Sequence, residues 1–226
     1  VLFPKTLESP KLIISNFFII LAFRRLISLQ SLLTPKEKIF DASLWIFVAS
    51  IFHFWAILFV LMVFVSIIFH VARDYRNWIL PFISFFAVGT IALMYALIFN
   101  KSLIAAIIGS ASIDFNFYYF TNNYQNFALS LYVATALFFF AAQVLALPGR
   151  PLNMQSSYKK IIIAFIIGAV VFLISSDKNN SLLIFTFAPV AVMAANQVES
   201  IQIEWLRETI IYIIAGCSLL TFFLQL

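Results

Sequence analysis

Carboxylates are absent from the middle of every long apolar run in this chain. Glu8, Glu37, Asp41, Asp74, Asp114, Asp177, Glu199, Glu204 and Glu208 all fall between the runs or at their ends. Ionisable groups at bilayer depth usually mark an ion path or a proton relay, so an ion-driven pump is not expected. Charge is scarce overall, at 10% of residues against about 25% in a soluble domain. Cysteine is nearly missing as well. The lone Cys217 excludes an internal disulfide and a Cys-rich metal site, and its place in the last apolar run suits a buried, inert thiol. With five glycines, closely packed small-residue helix interfaces are expected to be uncommon. No phosphate-cradling glycine loop, Ser-His-Asp arrangement or HExxH motif occurs. No catalytic centre is recognisable, and no cofactor or metal is implied.

What remains is hydrophobic. Apolar residues make up 64% of the chain and phenylalanine alone contributes 28. A soluble core cannot hide that much apolar surface, because a typical soluble domain is about 45–50% apolar. The runs are continuously apolar, whereas a transmembrane β-barrel shows short segments of alternating polarity. The expectation is an all-α, polytopic transmembrane helical bundle with about seven or eight membrane segments, residues 1–226 forming one integral membrane domain. The net charge of +5 is spread over short loops. That pattern reads as a topology signal, not as nucleic-acid binding. The chain begins at Val1 without a signal-peptide pattern, so a processed or incomplete amino terminus is expected.

Spanning helices need about 20 apolar residues. The candidates are Leu12 to Leu29, Trp78 to Phe99, Phe127 to Leu147, a short Ile161 to Ile174, Leu182 to Ala195 and Trp205 to Leu226. Thr34, Pro35 and Glu37 form a helix-start signal: a Thr cap, Pro at the first position and Glu at the third. The run that follows extends to Ala72. As one helix it would be about 57 Å long, against a hydrocarbon core of about 30 Å. Either it projects far beyond the membrane or it folds back near Phe52-His53-Phe54-Trp55, where no Gly or Pro marks a turn. Positive charge chooses between the two. In a hairpin, Arg24, Arg25, Lys36, Lys38, Arg73, Arg76, Arg150, Lys159, Lys160 and Arg207 share one side, leaving Lys5, Lys11, Lys101 and Lys178 on the other. A single span instead puts Arg24, Arg25, Lys36, Lys38, Lys101 and Lys178 against the other eight. The positive-inside rule favours the hairpin, with the ten on the cytoplasmic side.

Three groups of residues are candidates for chemistry. Arg24 and Arg25, with Lys36 and Lys38 nearby, and Arg73 with Arg76 are placed to contact lipid phosphates; the plain alternative is a topology anchor. The aromatic loop between Lys101 and Asn126 offers Asp114, Tyr118 and Tyr119 as a pocket that could stack a sugar, or as an interfacial belt. His53, inside the long run, is a candidate metal ligand or a general base in that pocket near a lipid-linked substrate, or else a hydrogen-bonded interfacial histidine; a metal site needs several ligands, and the other histidine is His70. Asn16, Gln143 and Asn196 suit hydrogen bonds between helices.

The stretch KIFDASLWIFVASIFHFWAILFVLMVFVSIIF, then RDYRNWILPFISFFAV and FTFAPVAVMAANQVESIQIEWLRE, resembles an uncharacterised polytopic inner-membrane family of Bacteroidota. The resemblance implies a bacterial inner membrane protein of the cell envelope. Some members carry a β-carotene monooxygenase label. Such oxygenases hold iron with several histidines, and this chain has two. Ala49-Ser50-Ile51-Phe52-His53 is also similar to a phrase in multi-span polysaccharide polymerases and glycosyltransferases that use polyprenyl-linked sugars. Those enzymes place a catalytic acid or an arginine in external loops, and the external loops here carry only Asp114, Asp177 and Glu8. The leading expectation is a subunit or scaffold of an envelope membrane complex, with lipids and other membrane subunits as partners. The alternative is a polyprenyl-linked glycan-handling protein.

Overall fold

The computed structural model describes residues 3–99, 102–113, 123–176 and 178–225. Among these the protein is all-α: nine α-helices joined by short turns and 3-10 segments, with one isolated bridge, Ile113 to Ser175, in place of any sheet. The helices are α1 (Pro10–Ser28), α2 (Pro35–Phe52), α3 (Val60–His70), α4 (Arg76–Phe99), α5 (Ser102–Gly109), α6 (Asn123–Ala146), α7 (Leu152–Ile174), α8 (Ile184–Ser200) and α9 (Glu204–Gln225). Five helical stretches are long and apolar enough to cross a membrane: Pro10–Ser31, Arg76–Phe99, Asn123–Gly149, Met154–Ile174 and Asn180–Ser200. Phe54–His70 is apolar but shorter, and α2 opens with four charged residues, Lys36, Glu37, Lys38 and Asp41.

The long apolar run folds back. Helix α2 stops at Phe52, and His53 is extended at φ −141° and ψ 109°. A 3-10 segment, Phe54–Phe59, then turns into α3. Neither glycine nor proline is used. The backbone groups freed by the break are re-paired locally: the His53 N–H donates to the Ala49 carbonyl at 3.1 Å, and the Ala56 N–H to the His53 carbonyl at 3.0 Å. Such re-pairing is what an apolar solvent demands of a broken helix. The two ends of the run meet, with Lys36 Nζ 3.3 Å from Asp74 Oδ2. Helix α4 then runs back beside α2, where Ser84 donates to the Phe40 carbonyl at 3.1 Å.

The main core lies where α1, α2 and α3 meet α7 and α8. Leu26, Ile39, Ile46, Ala49, Ala56, Met62, Val63, Val171, Phe185 and Met193 are all buried there. A smaller cluster joins Phe3, Ala128, Tyr132, Ala136 and Leu183. Tyr132 and Thr186 share a hydrogen bond of 2.6 Å between α6 and α8.

Several local expectations change. Helix α2 begins at Pro35 as the helix-start signal requires, but Thr34 is left-handed at φ 43° and gives no side-chain cap. Leu32, in the same short α1–α2 turn, is also left-handed at φ 54°, so the chain does not enter α2 with the extended backbone that a side-chain cap requires. Helix α7 begins at Leu152 rather than Ile161, because its polar first turns pack against other helices instead of forming a loop. Asn16 Oδ1 and Gln143 Nε2 are buried without hydrogen-bond partners; they do not make the expected bonds between helices. Cys217 in α9 is only partly buried.

Glycine is scarce, yet one close helix contact depends on it. A Cβ at Gly168 in α7 would lie 2.9 Å from Thr186 Cγ2 and 3.0 Å from the Phe185 carbonyl oxygen. Pro189, inside α8, has no N–H to offer the carbonyl four residues earlier, which is that of Phe185. That carbonyl lies against the bare Gly168 backbone. Gly89 in α4 has nothing within 4 Å of its Cβ position. Gly168→Ala is expected to destabilise the protein by about 1–3 kcal/mol through overpacking. Gly89→Ala should stabilise it by up to about 1 kcal/mol through helix propensity. Thermal unfolding of the two variants in detergent checks the opposite signs.

Candidate functional site: a basic end with three grooves

The hairpin gathers positive charge at one end of the bundle. Arg25 on α1 pairs with Asp41 on α2 at 3.1 Å. Lys38 Nζ donates to the Ser28 carbonyl at 2.8 Å and lies 2.7 Å from Ser31 Oγ. Lys160 on α7 donates to the Leu26 carbonyl at 2.6 Å. The last four carbonyls of a helix have no partner within it, and cations are favoured near that end. Two ammonium groups, from α2 and α7, thus sit on the last turns of α1. Nearby, His70 Nε2 lies 3.3 Å from Ser156 Oγ, and Ser157 donates to Gln30 Oε1 at 2.8 Å. The Lys159 ammonium stands 5.9 Å from the Phe69 ring and the Arg150 guanidinium 5.3 Å from the Tyr158 ring.

Lys160 departs from the sequence expectation. The charge pattern counts it among the loop charges of the basic side, yet it lies within α7 and is fully buried. Successive helix residues point about 100° apart, and here Lys159 faces outward while Lys160 turns into the bundle. The signal was present in the spacing: Ser156, Ser157 and Lys160 lie three and four residues apart, on one face of α7. Reading a polar triplet as a buried face would have needed knowledge that α1 ends opposite it.

Among the described residues, three grooves stand out at this end. One, of about 420 Å³, lies between α1 and α2 and is lined by Leu21, Arg24, Arg25, Ser28, Lys38 and Trp45. A second, of about 520 Å³, includes Lys36, His70, Arg73, Asp74 and Asn77. The third, of about 660 Å³, runs between α6 and the end of α8 past Arg150, Gln197 and Ser200. The four arginines singled out from sequence therefore share an end but not a groove. Arg24 and Arg25 line the first and Arg73 the second. Arg76 lines none of the three; its guanidinium lies 5.9 Å from the Tyr75 ring and its backbone N–H donates to Asp74 Oδ1 at 3.0 Å. That N–H, followed by the Lys36 ammonium, holds the Asp74 carboxyl below its ordinary pKa.

His53 lies apart from this end, at the bend of the hairpin, with its ring stacked on Phe185 at 5.4 Å and 28°. Its position is set by the helix break. His53 and His70 flank opposite ends of the Phe54–His70 segment, so the two histidines do not converge. Asp114, Tyr118 and Tyr119, the rest of the expected pocket, lie outside the described residues. Among the described residues, no group of three or more His, Cys, Asp or Glu is placed to hold a metal ion.

Lys160→Glu should destabilise the bundle by at least about 3 kcal/mol, since it sets a buried carboxylate against the carbonyl end of α1. Lys160→Met should be far milder, because it removes the charge along with its desolvation cost. Unfolding temperatures measured in the same detergent separate the two.

No family model matches this sequence, and no curated protein or solved structure is significantly similar to it.

Proposed function

We propose that this chain is a subunit or scaffold of a cell-envelope membrane complex, held in a bacterial inner membrane with its basic end toward the cytoplasm. The observation that carries the reading is the state of α4. It is the most apolar of the five candidate spans, with a mean hydropathy of 2.3, and the least buried, at 17% against 39–44% for α1, α7 and α8. Its outward face is a continuous aromatic and aliphatic ridge that includes Phe82, Phe86, Met94, Ile98 and Phe99. The helix is held to the bundle chiefly along α2, through Ser84 on the Phe40 carbonyl and Phe85 against Phe47 at 5.2 Å. A close-packed core with one loosely buried, bulky helix suits a protein whose work is to present a membrane surface to neighbours. The basic end agrees with the positive-inside rule, and the resemblance to a polytopic inner-membrane family supports the location.

A photo-crosslinking residue in place of Phe86 or Met94 tests this in membranes. The expected result is a discrete higher-mass adduct containing a second protein, with none formed from a crosslinker at Leu152, which is still more exposed. Adducts to lipid alone at both α4 positions, together with a solitary monodisperse protein in mild detergent, would remove the reading.

A further inference from the structure

We propose that the groove between α1 and α2 is a binding site for the phosphate headgroup of an anionic phospholipid, with Arg24 as its principal free cation. Three cations line the groove, Arg24, Arg25 and Lys38. One carboxylate, Asp41, stands beside them, paired with Arg25 at 3.1 Å. Three positive charges against one negative leave the groove cationic. Lys38 is held in place by Ser28 and Ser31. Arg24 is exposed and makes no ion pair or hydrogen bond with any described residue. Its charge is therefore available to a ligand, while Arg25 and Lys38 are fixed as walls beside it. The Ser28 hydroxyl is committed to its own helix, donating to the Arg25 carbonyl at 2.8 Å.

The vertical order of the lining favours a lipid over a free ion. The cations sit at the mouth. Leu21 lies nearly one turn deeper than Arg24, about 4.5 Å along α1, and Trp45 lies about 10 Å deeper than Lys38 along α2. Trp45 is stacked on Phe18 at 5.5 Å and 12°, so the floor of the groove continues as an apolar track toward the bundle midplane. A charged mouth above an apolar floor matches a phosphate with an acyl chain beneath it, and basic pockets between helices do receive anionic headgroups. The other two grooves are less cationic. In one, Lys36 and Arg73 stand with Asp74, which pairs with Lys36 at 3.3 Å; in the other, Arg150 is the one cation in the lining and lies against the Tyr158 ring at 5.3 Å. The site does not depend on the chain being a subunit of a complex.

Native mass spectrometry of the full chain in mild detergent, with added phosphatidylglycerol, phosphatidylcholine or inorganic phosphate, provides the test. The wild type should retain phosphatidylglycerol in preference to phosphatidylcholine. Arg24→Gln should weaken phosphatidylglycerol binding about fivefold, the effect of one interfacial cation, and leave phosphatidylcholine unchanged. Arg24→Lys should keep most of the affinity. Arg207→Gln, a charge lost elsewhere at the same end, should have no effect. Because Arg24 is exposed and makes no structural bond, its loss is not expected to unfold the protein, and an unchanged unfolding temperature verifies this. Undiminished phosphatidylglycerol binding by Arg24→Gln overturns the proposal. So does equal retention of the two lipids, or binding of inorganic phosphate with no preference among lipids.

Discussion

The thickness of a hydrocarbon layer is the constraint on which this architecture depends. The stretch from Pro35 to Ala72 is apolar beyond its charged first turns, and it cannot lie straight within about 30 Å. It breaks at His53 instead. The break is tolerable because the backbone groups it frees are re-paired within a few residues, His53 with Ala49 and Ala56 with His53. The Lys36–Asp74 pair at the open end marks the fold-back more than it drives it, since exposed ion pairs contribute only about 0–1 kcal/mol. Burial of Ala56, Phe59, Met62, Val63 and Ile67 against the neighbouring helices supplies the larger force.

Once the run is a hairpin, the rest of the charge distribution follows. The end of α1, the start of α2, the end of α3, the start of α4 and the first turns of α7 arrive at one end of the bundle. Their lysines and arginines are drawn into three kinds of contact. Lys38 and Lys160 satisfy carbonyls at the end of α1. Arg25 and Lys36 meet carboxylates. Arg150 and Lys159 rest against aromatic rings. Arg24 and Arg73 are left exposed outside these contacts, Arg24 beside two fixed cations and Arg73 beside Asp74, so the same packing that makes a rigid end also leaves grooves with uncommitted cations.

Much of this was legible from residues alone. The all-α bundle followed from composition. The hairpin followed from length and from the sides on which lysine and arginine would fall, although nothing local in Phe52-His53-Phe54-Trp55 is a turn signal. What escaped was pairwise and long-range. Lys160 is buried because α1 happens to end across from it, a fact absent from the neighbourhood of Lys160 in the chain. Gly168 matters because Phe185 and Thr186 of α8 lie against its backbone, a contact that no local pattern around Gly168 shows. Thr34 lost its cap to the geometry of a turn whose length the sequence shows but whose handedness it does not. The arginines were recognised as one functional group, but they divide between grooves because Arg24 lies on α1 and Arg73 beyond α3.

Cysteine accessibility in sealed, oriented membrane vesicles tests the hairpin most directly. In a Cys217→Ser background, single cysteines at Leu32, Leu152 and Leu7, each well exposed, report three loops. With the fold-back, Leu32Cys and Leu152Cys react with an impermeant thiol reagent from one side and Leu7Cys from the other. If residues 35–72 instead cross once, Leu152Cys reacts from the same side as Leu7Cys and opposite Leu32Cys, and the shared basic end does not exist.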